Sequence, residues 1–92
     1  MPYVSTKITA NTTISTTGGL FYGLLIVAGG TVVATNNVTV YDGTSSSDLQ
    51  VGEFNVTPLD TNWFRSLEIV CRQGIRVECA GWTDLEVYVL HK

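Results

Sequence analysis

Apolar and polar positions along the chain alternate in short runs broken by glycine, asparagine and serine. One run departs from alternation. Leu20 to Val27 reads Leu-Phe-Tyr-Gly-Leu-Leu-Ile-Val, with Gly18-Gly19 before it and Gly29-Gly30 after it. Eight uncharged residues between glycine pairs fit a strand buried on both faces. A helix would want about ten or more residues and no glycine breaks. This stretch is predicted to be the central strand of a small all-β domain.

The flanking segments show a period of two. Val4, Thr6, Ile8, Ala10, Thr12 and Ile14 form a mildly apolar parity, predicting one long edge strand or two short ones broken near Ala10-Asn11. Gly29-Gly30 turns the chain, and Thr31 to Thr35 is a second strand or a broad loop. Asn36-Asn37 turns it again, and Val38 to Tyr41 alternates as a strand. Asp42-Gly43 and a polar loop from Thr44 to Ser47 follow. In Leu49 to Val56 the apolar parity changes between Val51 and Phe54, which predicts a β-bulge at Gly52. Thr57 to Phe64 reads as irregular, with Trp63 and Phe64 plugging one end of the core. Leu67, Ile69 and Cys71 then share one parity. Ile75, Val77 and Cys79 share another across Arg72-Gln73-Gly74, predicting a hairpin with a bulge at Gly74. After a turn from Ala80 to Asp84, Leu85 to His91 closes the chain. Leu85, Val87 and Val89 point inward there, and Glu86, Tyr88 and Leu90 outward. The sum is one domain over residues 1–92, an antiparallel β-sandwich or jelly-roll-like barrel of seven to eight strands. Residues 1–15 are expected as an interface strand or arm.

Composition sharpens the surface. Charged residues make up 14% of the 92, against about 25% in ordinary soluble domains. Thr, Ser, Asn and Gly replace them. Such a surface suits faces covered by neighbours in an assembly, and it also follows simply from the fitness of Thr for strands. The net charge is −3, and Lys7, Arg65, Arg72, Arg76 and Lys92 are scattered. Nucleic-acid binding, which needs a cationic footprint, is therefore not expected. The apolar run over 20–34 is too short and too rich in Gly and Thr to span a membrane. The first 19 residues hold no secretory apolar core, so synthesis in the cytosol is expected. The Asn-x-Thr triplets at Asn11, Asn37 and Asn55 are then chance matches to the glycosylation pattern.

No reactive constellation emerges. Placed across a hairpin, Cys71 and Cys79 would lie on the order of 13 Å apart along the ladder, beyond the 7 Å or so that a disulfide spans. They are expected as core thiols. A metal site lacks ligands, since His91 is the single histidine and is expected to be a solvated terminal residue. Asp42 and Asp48 bracket a Gly/Ser loop whose spacing suits a polar turn better than a calcium site. Glu68, Glu78 and Glu86 fall on outward parities, and no nucleophile stands with a base, so no enzyme and no cofactor are expected. The aromatics are the remaining signal. Tyr3, Tyr41 and Tyr88 take polar-face parities and Trp82 lies in a turn, where they suit a protein interface or sugar stacking.

The order of segments resembles a known group. The carriers are Gly-Leu-x-Tyr-Gly-Leu-Leu-Ile-Val at 19–27, Val-Thr-Val-Tyr-Asp-Gly-Thr-Ser at 38–45 and Gly-Ile-Arg-Val-Glu-Cys-Ala-Gly at 74–81. Together they resemble small β-sandwich structural proteins of tailed bacteriophages, and among these the capsid decoration, or cement, proteins. Related sandwiches also serve as head-fibre bases and tail accessory parts. The resemblance implies a non-enzymatic virion protein on the capsid surface. It would bind the major capsid protein and bridge capsomers as a homo-oligomer, a dimer or trimer. Thr9, Asn11 and Thr13, with Tyr3, are the expected contact on the N-terminal strand. The alternative is a carbohydrate- or host-surface-binding module of a fibre or tail.

Overall fold

The computed structural model describes residues 4–32 and 36–92, with the backbone alone for 65–67. Among these residues the chain forms eight strands and no helix. They are β1 (Val4–Ile8), β2 (Thr12–Ser15), β3 (Gly19–Ala28), β4 (Asn37–Asp42), β5 (Leu49–Asn55), β6 (Thr61–Cys71), β7 (Ile75–Cys79) and β8 (Leu85–His91). Two four-stranded antiparallel sheets result, in the orders β1-β8-β3-β6 and β2-β7-β4-β5. The predicted all-β sandwich is what forms.

The N-terminal segment takes the two-strand form, broken over Thr9 to Asn11. β1 edges one sheet and β2 edges the other. Apart from the β4–β5 hairpin, every link between consecutive strands crosses from one sheet to the other. This corrects the expected β6–β7 hairpin. β6 pairs with β3, and β7 pairs with β2 and β4. Alternation alone cannot separate a hairpin from an arch, because both turn the same inner parity toward the core. What holds the arch is Asp42 at the end of β4. Its carboxylate accepts the backbone N–H groups of Arg72, Gln73 and Gly74 at 3.1, 2.8 and 3.3 Å. Gly74 is not a bulge. It is buried where a Cβ would sit 2.6 Å from the Gly43 carbonyl oxygen and 2.7 Å from that of Ser15.

The core lies between the sheets. Phe21, Leu24, Ile26 and Ala28 of β3 face Val38, Val40, Ile75 and Val77 of the other sheet, with Val87 and Val89 of β8. The inward parity of β3 changes after Phe21, and its pairing shifts there against both neighbours. Gly23 stands at that bulge with φ 148°. In β5 the register shift falls between the partners of Gly52 and Gln50, which makes Val51 the extra residue, one position before the predicted bulge. Trp63 and Phe64 belong to β6 instead of an irregular plug, because they pair with Leu25 and Leu24. Phe64 packs inward on Phe54, ring centroids 5.0 Å apart, while Trp63 points outward and is 48% exposed. The C-terminus is tied in: Leu20 and Lys92 exchange backbone hydrogen bonds of 3.0 and 2.9 Å.

Val32 is buried in the turn after β3. Of the strand or loop expected over Thr31 to Thr35, Thr31 lies in the same turn and donates its N–H and hydroxyl to Asp84 at 3.2 and 3.0 Å; residues 33–35 lie outside the described residues, as does the parity of the Leu67 side chain.

Candidate functional site: two unlike outer faces

A two-layer sandwich covers one side of each sheet and leaves the other to solvent, where polar residues normally stand. The sheet β2-β7-β4-β5 follows that rule. Its outer rows run Thr13–Arg76–Tyr41–Gln50, then Glu78–Thr39–Glu53, then Asn37–Asn55. Arg76 donates to Glu78 at 2.6 Å and to the Thr13 hydroxyl at 2.8 Å. A shallow hollow of about 330 Å³ lies on this face, with Tyr41, Thr39, Glu53, Glu78 and Asn37 among its lining residues.

The opposite sheet breaks the rule. On its outer parity Leu20 pairs with Val70, Leu25 with Trp63 and Tyr88, and Val27 with Thr61 and Glu86. Val70 is 61% exposed, and Leu20, Leu25, Val27 and Tyr88 are half-buried with no layer over them. Leu90 opposes Gly23 on this side and is buried outside the inner cluster. The expectation that β3 is buried on both faces is thus corrected. The fold covers one face of β3 with the second sheet and leaves the other bare. The described charges on this face are Lys7 and Glu86, which pair at 3.2 Å, with Glu68 accepting from the Tyr22 hydroxyl at 3.1 Å.

The residues singled out from sequence do not converge on one site. Tyr3 lies outside the described residues. Thr9 is exposed between β1 and β2, beside a second hollow of about 310 Å³ that Trp82, Asp84 and Glu86 also line. Asn11 is a structural clasp. Its Oδ1 accepts the Cys79 backbone N–H at 2.9 Å and the Trp82 indole N–H at 2.8 Å, so Trp82 is fastened to the body and half-buried. Thr13 and Tyr41 share the polar face, and Tyr88 lies on the apolar one. Trp63, Val70 and Leu25 were missed as surface candidates. The signal lay in the adjacent apolar pairs Trp63-Phe64 and Ile69-Val70, since two neighbours in a strand point to opposite faces.

Four titratable groups are held by the fold. Cys71 and Cys79 are buried and unbridged, though they reside in different sheets and not in one hairpin. Burial, with the nearby Asp42 charge, pushes the Cys71 thiol up to about 11, so it is held as an unreactive thiol. Asp48 accepts the N–H groups of Thr44 and Ser45 at 2.9 and 3.1 Å, closing its own turn. His91 is not a solvated terminal residue. It is half-buried, shares a 2.8 Å hydrogen bond with Thr6, and burial lowers its pKa below 6.5. Among the described residues no group of three or more His, Cys, Asp or Glu side chains is placed to hold a metal ion.

Comparison with protein-family models, curated proteins and solved structures finds no match.

Proposed function

We propose that this protein is a non-enzymatic virion component, a capsid decoration protein that binds the outer capsid surface and bridges capsomers. The bare apolar face of the β1-β8-β3-β6 sheet carries the reading. Leu20, Leu25, Val27, Trp63 and Val70 bring an interior-type surface into solvent on a small, charge-poor domain. Contiguous patches of that kind mark protein contacts more than chemistry. The resemblance read from 19–27, 38–45 and 74–81 gives the assembly its setting, a capsid surface whose major capsid protein is the partner. The capsid itself would be gripped along the side formed by the edge strands β1 and β2, where Thr9 and Thr13 stand.

The test is cosedimentation with expanded, DNA-free tailed-phage capsids assembled from purified major capsid protein. Saturable binding and a raised capsid melting temperature are expected. Protein that stays in the supernatant at every concentration refutes the reading.

The hollow beside Tyr41 favours a second reading, a saccharide-binding module. One aromatic ring flanked by two carboxylates, a hydroxyl and an amide has the chemistry for sugar hydroxyls. A glycan array would then give hits that Tyr41→Ala removes, with no capsid binding.

A further inference from the structure

We infer that the bare apolar face is occupied by a second copy of this chain, the two sandwiches packing sheet against sheet about a two-fold axis. The inference rests on the reading of this face as a protein contact and names its partner.

Three observations carry it. First, β3 is apolar on both sides, yet the fold covers only its inner side; Leu25 and Val27 lack the layer that their chemistry calls for. Second, the size fits. The molecule measures 35 × 30 × 17 Å, so one broad face spans roughly 1,000 Å², against about 800 Å² per partner in a standard stable interface. The apolar positions run across β6, β3 and β8, three of the four strands. Third, the charges permit a copy. A chain of net charge −3 repels itself through most surfaces. On this face the described charges are few: Lys7 and Glu86 pair at 3.2 Å, and Glu68 accepts from the Tyr22 hydroxyl at 3.1 Å. Because a two-fold contact sets one patch on itself, it requires a surface that tolerates its own image. A mainly apolar face does so while desolvating few charges, whereas the ionic rows around Arg76, Glu78 and Glu53 would bury theirs.

Such pairing leaves the β1 and β2 edges of both copies free. The dimer then presents two capsid-gripping edges, which is what bridging neighbouring capsomers requires.

The experiment is sedimentation equilibrium of the purified full chain from about 1 to 100 μM, beside Trp63→Glu, Val70→Lys and Tyr41→Ser. The wild type and Tyr41→Ser are expected at twice the chain mass. Trp63→Glu and Val70→Lys should be monomers with unchanged circular dichroism, their self-association weakened about 100-fold or more. If Trp63→Glu misfolds, Val70→Lys alone decides, being the more exposed position. A wild type that is monomeric throughout overturns the inference. So does a dimer that survives both apolar-face variants, or one that Tyr41→Ser dissociates. Capsid cosedimentation separates this inference from the functional reading. A monomeric wild type that still binds capsids, and loses that binding in Trp63→Glu, sinks the second copy and keeps the capsid role. A dimer lost in the apolar-face variants, with no capsid binding by the wild type, upholds the pairing and sinks that role.

Discussion

The carboxylate of Asp42 accepts three consecutive backbone N–H bonds from the turn that leads β6 into β7. Partial burial acts to raise its pKa. The bonds from Gln73, Arg72 and Gly74, with the Arg72 charge, outweigh that and hold it below its ordinary 3.8. Because the folded pKa is the lower one, the unfolded chain binds the extra proton. The stabilisation is therefore complete above 3.8 and is lost as pH falls through the folded value. Asp42→Ala should lose about 1–2 kcal/mol at pH 7, the lower part of the range for an ionic acceptor because the site is partly solvated. In urea titrations, the gap to wild type should shrink toward pH 3 or so. His91 acts at a higher pH. Its pKa is also lowered, by burial, so the neutral ring is favoured in the fold and protonation is resisted. Stability is then full above 6.5 and declines as pH drops below it. His91→Gln should flatten that decline between about pH 5 and 7, read from urea midpoints.

At the scale of elements, the crossing links decide what the strands can do. The arch between β6 and β7 passes Gly74 against the carbonyl oxygens of Gly43 and Ser15, joining three segments at one point. The Gly43 N–H also donates to the Gly74 carbonyl at 3.1 Å. Gly74→Ala must push backbone apart at a place with no flexible side chain to give way. A loss of about 3 kcal/mol or more is expected by thermal or urea unfolding. Gly81→Ala, where nothing lies within 4 Å, should change stability by no more than about 0.5 kcal/mol. Equal losses at the two positions would show that the close approach at Gly74 does not matter. The bulge in β3 works differently. By adding one residue after Phe21 it moves Leu24, Ile26 and Ala28 inward and turns Leu25 and Val27 out. A ten-residue strand can then be apolar throughout and still leave half its side chains outside the core.

The whole molecule is a sandwich with one ordinary face and one interior-like face. If the second is covered by a copy of the chain, folding and pairing are linked, and the unfolding midpoint depends on protein concentration. The urea midpoint is expected to rise between about 1 and 100 μM for wild type and to stay constant for Trp63→Glu. A wild-type midpoint independent of concentration would show that folding gains nothing from association. The polar face leaves no mark on this measurement, so Tyr41→Ser should follow wild type. It is also the face free to meet solvent or a ligand when the apolar ones are joined.

The alternation of side chains left open whether the N-terminal segment breaks near Ala10-Asn11, but determined by itself the class of fold, the strand from Leu85 to His91 and the inner parity of β7 and β8. These follow from a period that each strand carries locally. It also placed both cysteines among core residues, although by way of a hairpin that does not form. Only the tertiary structure decided which sheet each strand enters, because an arch and a hairpin present the same inner parity to the core. It alone showed Asn11 and Asp42 as clasps, since their partners lie 68 and 30 or more residues away. And it alone showed that a run apolar on both sides receives one cover and not two, for the number of layers over a strand is a property of the assembled sheets.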